Sequence, residues 1–389
     1  MFCLNYSVYP RKVTNFIATL AKNRSKMRVE RELAGFALPF AAVSAAVIFI
    51  GISPYCIITV ITAFIFSLLT ISILLHPVHH RMNSTMTWAC IILLAGSTGA
   101  ICGFTGLSLP PLERGSLVRC ALSVGEGIRH EIMSINFKHT ETNAILNALL
   151  TGDRSMLGRE MVSAFRDSGA SHILALSGLH LGMIYSIVLI LLKPLGNTPA
   201  ACRTRGAVTI LSCGFYTLAV GAGPSIVRAL LFITIGETAR IFRRHRTTGS
   251  TLMAALVIQL MASPADIRSA GFQLSYAAMA GIAWIYPWLK GLWGEGKGFP
   301  IMKRIWNSLS MSIACQITTA PLAYLHFRSI PSHFMLTNLI AIPLTGLIIP
   351  CSLITLTLSA CGFCPDVLID MTEALVTIMT RALTIISNM

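Results

Sequence analysis

Long apolar blocks constrain this chain more than any other feature. They fall at about residues 33–51, 55–75, 88–106, 172–192, 207–222, 225–242, 251–263, 272–289, 309–327, 334–358 and 367–388. A helix needs roughly 20 apolar residues to cross a hydrocarbon core ~30 Å thick. In hydrocarbon the backbone must satisfy its own hydrogen bonds, so each block predicts a helix. A closed barrel would need alternating segments of about ten residues, which are missing. Only 12% of the 389 residues are charged and 54% are apolar, with a mean hydropathy of +0.72; soluble domains carry about 25% charge. The expected fold is an all-α polytopic membrane protein with about 9–11 transmembrane helices, some short or broken, plus amphipathic interfacial helices. The blocks at 207–222 and 251–263 are short enough to be re-entrant.

A formal net charge of +15 invites a nucleic-acid reading, yet membrane proteins collect Lys and Arg in cytoplasmic loops for reasons of topology alone. With the N-terminus in the cytoplasm, eighteen of the 30 basic residues fall on cytoplasmic segments, among them Arg11, Lys12, Arg81, Lys193, Arg243 and Lys303. The expected organisation is a basic cytoplasmic segment at 1–32, transmembrane helices at 33–106, amphipathic helices on the extracytoplasmic face at 107–171 and a transmembrane core at 172–389. Segment 107–171 carries seven of the fifteen acids, with apolar residues such as Leu117, Ala121, Val124, Ile145 and Leu149 at helical spacing. No signal peptide with a cleavage site is indicated. Cys361 and Cys364 form a lone CxxC with no second pair. His76, His79 and His80 have no Cys or carboxylate pattern to complete a metal site. No cofactor, metal or catalytic residue is expected.

Polar groups inside a membrane are costly, at least about 2.5–3.5 kcal/mol for a central Arg or Asp on insertion scales. Ser177 and His180 lie three apart on one helical face, with Gly178 and Gly182 leaving room for a neighbouring helix. A continuous helix would put His180 about 12 Å from His172. His180 reads equally as a hydrogen bond between helices or as part of a polar path. Gly223 and Pro224 mark a helix break, where Ser225 can cap the new helix. Arg228 and Glu237 are nine apart, on opposite faces, so each needs a partner elsewhere; snorkelling is the alternative for Arg228. Gly271 and Gln273 open a later block, and helix-to-helix hydrogen bonding is the preferred reading of the buried glutamines.

The stretch Thr151-Gly-Asp153-Arg154-Ser155, then Phe165 through Gly169 to His172, then Ala175-Leu-Ser177-Gly178-Leu179-His180-Leu-Gly182 resembles the signature of the ComEC competence family. Gly223-Pro224-Ser225 with Arg228-Ala229, Gly271-Phe272-Gln273-Leu274-Ser275, Ala320-Pro321-Leu322 and Asn338 to Leu344 follow in the same order. The resemblance implies an inner-membrane channel for uptake of single-stranded DNA in natural transformation, in the bacterial plasma membrane with the N-terminus cytoplasmic. It also implies partners: single-stranded DNA, the lipid bilayer, a separate nuclease, a DNA receptor and a cytoplasmic motor ATPase. Residues 106–113 are too few for the family's OB-like domain, and no HxHxDH-like motif marks its metallo-β-lactamase-like domain, so the sequence reads as the channel core without a nuclease. Basic grooves with stacking aromatics hold single strands without sequence preference. Ser177, His180, Arg228, Glu237 and Gln273 are the expected path, with Arg154, Arg159, Arg166 and His172 at the mouth. Three rivals remain: a small-molecule or ion transporter, a degenerate relative without transport activity, and an intramembrane hydrolase using Ser177 and His180.

Overall fold

A computed structural model of the chain describes residues 30, 33–49, 84–105, 115–244, 247–293, 300–328 and 333–388. The predicted span at 55–75, the histidines at 76–80 and, save Glu30, the basic segment 1–32 lie outside the described residues. The described residues hold helices and turns with no strand, and they fall into two compact units.

The first unit contains α1 (Leu33–Phe49), α2 (Ser84–Thr105), α10 (Thr248–Ala262) and the 3₁₀ turn Pro264–Arg268. α1 meets α2 through a small-residue contact. A Cβ at Gly99 would collide with the Phe40 carbonyl, and Ser44 Oγ donates to the Gly99 carbonyl at 2.8 Å. Gly99 lets the two backbones close to this distance.

The second unit holds α3 (Ser116–Ser134), α4 (Thr140–Thr151), α5 (Arg159–Asp167), the one-turn α6 (Ser171–Leu174), α7 (Gly178–Leu191), α8 (Pro199–Ala219) and α9 (Pro224–Ile241). It continues with α11 (Ala270–Ala280), the π-helical turn Gly281–Ile285, α12 (Tyr286–Gly291), α13 (Pro300–Phe327), α14 (Phe334–Ala360) and α15 (Asp366–Ser387). Two glycines set helix spacing here. A Cβ at Gly125 of α3 would strike the Ala219 carbonyl at the end of α8, and one at Gly281 would strike the Ala314 carbonyl of α13.

The main core joins α4 to the hairpin of α14 and α15, with Ile145, Leu149, Phe165, Ile173, Ile348 and Met379 fully buried. Within the segment 107–171, α4 is largely buried in the protein: Thr142 and all of 144–151 are buried. The sequence spacing of Ile145 and Leu149 marked one apolar face, while Ala144, Ala148 and Leu150 cover the others.

α14 buries hydroxyls beside its core isoleucines and exposes other large apolar side chains. Its buried positions include Thr345, Ser352 and Thr355, the last two only 1% exposed, while Leu347 and Ile354 are 57% and 52% exposed. The inward hydroxyls are satisfied along their own helix: Thr345 donates to Ala341 O at 2.7 Å, Ser352 to Ile348 O at 2.6 Å and Thr355 to Cys351 O at 3.0 Å.

Among the described residues, α14 is the one helix long and apolar enough to cross a membrane by length and composition. α1, α7 and α10 are apolar but shorter. Several long helices carry charges, Arg203 and Arg205 in α8, Lys303 and Arg304 in α13, Asp370, Glu373 and Arg381 in α15, whereas α2 carries none. The sequence blocks were drawn across helix breaks; the block at 172–192 joins α6 to α7 across the extended residues Ala175 and Ser177.

Candidate functional site: a meeting of helix starts

Ser177 is the N-cap of α7, in extended backbone, and its Oγ accepts the Leu179 N–H at 3.2 Å. His180 reaches back, and its Nδ1 accepts the Ser177 N–H at 3.2 Å. Together these form a capping box, which satisfies two otherwise orphaned backbone donors. The three-residue spacing read as a shared helical face is thus a cap. His172 belongs to α6 instead, its Nδ1 3.2 Å from the Gly169 carbonyl, so no continuous helix sets its distance from His180. His180 is 1% exposed. With Nδ1 accepting, Nε2 carries the proton in the neutral ring; it is buried and has no hydrogen-bond partner among the described residues. Ser177 Oγ also lies 3.2 Å from His180 Nδ1, the contact a nucleophile and base would make, without a third group on Nε2 to orient the ring.

The start of α9 is built differently. Gly221 and Ala222 both have positive φ, 85° and 50°, and the Ala222 N–H returns to Thr217 O at 2.8 Å. α8 therefore ends in a left-handed turn, a conformation that is strained for alanine. Gly223 is the N-cap, with no side-chain cap bond, and Pro224 takes the first helical position, where its missing N–H is no loss. Ser225, expected as the cap, lies inside the helix.

α11 begins at Ala270, capped by Ser269, whose Oγ accepts the Phe272 N–H at 3.2 Å. The three starts converge. A Cβ on Gly178 would be 3.5 Å from that of Ala229. Arg228, 5% exposed, donates from Nη2 to the Gly271 carbonyl at 3.0 Å. Gln273 Oε1 lies 2.9 Å from His326 Nε2 of α13. Each helix N-terminus carries about half a positive charge, and Arg228 adds a whole one, so the meeting point is cationic and rich in backbone donors.

Other predicted residues make contacts away from this meeting point. Glu237, 1% exposed, accepts from the Tyr185 hydroxyl of α7 at 2.7 Å and pairs with Arg240 one turn on. It does not join Arg228, as their opposite faces require. Gly206 of α8 makes room for Ile241, whose side chain a Cβ there would meet at 2.8 Å. Arg154 Nε donates to the Leu174 carbonyl at 3.0 Å, anchoring the loop after α4 to α6. Gly152, at φ 79°, closes α4, and Asp153 Oδ1 accepts the Ser155 N–H at 2.9 Å. Arg159, Arg166 and His172 are exposed, and Gly182 has open space beside it. Tyr185, Ser269 and His326 escaped the sequence reading; the partners of Tyr185 and His326 lie 52 and 53 residues away and leave no spacing signal, while Ser269 stands at ordinary N-cap spacing from Phe272. No group of three or more metal-binding side chains occurs among the described residues.

The fold and this site define a class: an all-helical protein whose sequence motifs are helix starts drawn together around a buried arginine. The chain belongs to the competence protein family, whose sequence model matches residues 149–389, the region that contains all of these starts. It is 24% identical over 215 residues to ComE operon protein 3 of Bacillus subtilis (strain 168), covering 54% of this chain and 25% of that protein. It is 28% identical over 205 residues to competence protein ComA of Neisseria gonorrhoeae, covering 51% and 28%. Uncharacterized protein YcaI of Escherichia coli (strain K12) is 23% identical over 210 residues, covering 53% and 28%. The matched region spans about a quarter of the length of these relatives. No solved structure matches the chain significantly.

Proposed function

We propose that the chain is the membrane-embedded part of a channel that admits single-stranded DNA during natural transformation, in the bacterial plasma membrane with its N-terminus cytoplasmic. The observation that carries the reading is Arg228, buried where the starts of α7, α9 and α11 meet within the family region. A polyanion needs fixed positive potential and donors that do not read sequence, and helix starts around a guanidinium supply both. Membrane embedding is supported by α14, which buries Thr345, Ser352 and Thr355 beside Ile348 and Ile349 while leaving Leu347 and Ile354 more than half exposed, an exposure of large apolar side chains that water disfavours. Leu211 of α8 and Ile385 of α15 are exposed as well. The nuclease, DNA receptor and motor ATPase are separate partners in this proposal, and the chain itself is no enzyme: the Ser177–His180 pair is engaged in capping α7. A buried Glu237 would suit an ion transporter, but its oxygens are taken by Tyr185 and Arg240.

The test is deletion of the gene in the parental cell. Labelled DNA should stay bound outside and no labelled single strand should reach the cytosol; wild-type entry would overturn the proposal.

A further inference from the structure

A cleft of about 410 Å³ lies between α4, α5 and α15, within the size range of small-ligand sites. It shares no residue with the meeting of helix starts. Its walls are mixed. Met161 and Val376 are apolar, while Glu141, Thr380, Arg381 and Thr384 bring polar groups. Among the described residues neither Glu141 nor Arg381 takes part in an ion pair or a side-chain hydrogen bond, whereas the nearby Lys138 is paired with Asp370 at 2.7 Å. The threonine protons are committed: Thr380 Oγ1 donates to Thr377 O and Thr384 Oγ1 to Thr380 O, each at 3.0 Å. Their oxygens therefore present lone pairs, which accept. His139 donates its backbone N–H to Glu373 Oε1 at 2.7 Å, fixing the rim of the cleft to α15.

We propose that this cleft binds a phosphoethanolamine lipid headgroup, with Arg381 on the phosphate, Glu141 and the threonine oxygens on the ammonium, and the apolar wall along the glycerol and first methylenes. The charge inventory selects this chemistry. One fixed cation and one fixed anion match a zwitterion. A phosphoglycerol headgroup offers only neutral hydroxyls and leaves the Glu141 carboxylate without a cation, and a choline cannot donate hydrogen bonds to carboxylate or hydroxyl oxygens. A primary ammonium donates three. The inference rests on the membrane reading above, although not on DNA transport.

The experiment is native mass spectrometry of the full-length, delipidated protein in detergent, offered isotope-labelled phosphatidylethanolamine, phosphatidylcholine and phosphatidylglycerol in equal amounts. One charge-assisted hydrogen bond contributes about 1.5–3 kcal/mol, so the ethanolamine lipid should be retained at least ~10-fold over the choline lipid. Glu141→Gln should bring these two lipids level, and Arg381→Ala should weaken retention of all three. Equal retention by the wild type, or a preference unchanged in Glu141→Gln, overturns the proposal. Displacement by equimolar water-soluble phosphoethanolamine would also overturn it, assigning the cleft to the free compound. A chain recovered from the cytosol without detergent would remove the membrane reading itself, a failure separable from a loss of lipid preference.

Discussion

The Arg228 guanidinium hydrogen-bonds the Gly271 carbonyl at 3.0 Å, tying the start of α9 to the start of α11 across 43 residues of sequence. The contact explains why a cation is held inside the bundle. The carbonyl accepts from the guanidinium, whose charge adds to the positive potential of three helix starts.

Arg228→Ala should separate structure from transport. Losing a charge-assisted hydrogen bond removes about 1.5–3 kcal/mol, and the loss of positive potential should lower transformation frequency by ~10–100-fold or more. Arg228→Lys keeps the charge with fewer donors and should fall between. Transformation counts normalised to membrane abundance on immunoblots check this ordering.

His180 and Ser177 cap α7. Ser177→Ala should destabilise the protein by about 1 kcal/mol, in the usual range for an N-cap. His180→Gln should retain the cap, because its side-chain oxygen can accept the Ser177 N–H in the manner of a capping box. Melting temperatures in detergent measure the stability, and DNA uptake in the same variants reads any further role. Normal melting with lost uptake in His180→Gln would give the Nε2 side of the ring a part in the path.

Two glycines on one helix make a paired test of packing. Gly125→Ala forces a methyl onto the Ala219 carbonyl and should destabilise by about 1–3 kcal/mol. Gly127→Ala meets nothing within 4 Å and should stabilise by up to ~1 kcal/mol through helix propensity. Opposite shifts in melting temperature are expected.

Asp153 gives a pH signature. Hydrogen bonds from Ser155, backbone first and then hydroxyl, hold its carboxyl below the ordinary value. A depressed folded-state pKa adds stability that is present above the unfolded value of about 3.9 and is lost as pH falls through the folded value. Wild-type melting should therefore drop more steeply than Asp153→Ala below about pH 4. Parallel profiles would remove this role.

The sequence carried the helices and the order of the motifs because both are local: apolar runs, Gly-Pro breaks and short signatures. It placed Gly223 and Pro224 at a break and separated Arg228 from Glu237, and both features are present. It misread Ser177 and His180 as groups on one helical face because cap and face share a three-residue spacing. The block at 172–192 runs through the break between α6 and α7 because apolar content continues across it. The links from Glu237 to Tyr185 and from Gln273 to His326 depend on how distant helices pack, which no single-chain period encodes.

The most direct test places a photo-crosslinking amino acid at Ser225, at the start of α9, and at Leu211, which is 72% exposed on α8, and illuminates cells during uptake of radiolabelled DNA. Incoming strand should label the protein from position 225 and leave position 211 unlabelled. Label at 211 with none at 225, or equal label at both, would contradict a DNA path past the meeting of helix starts.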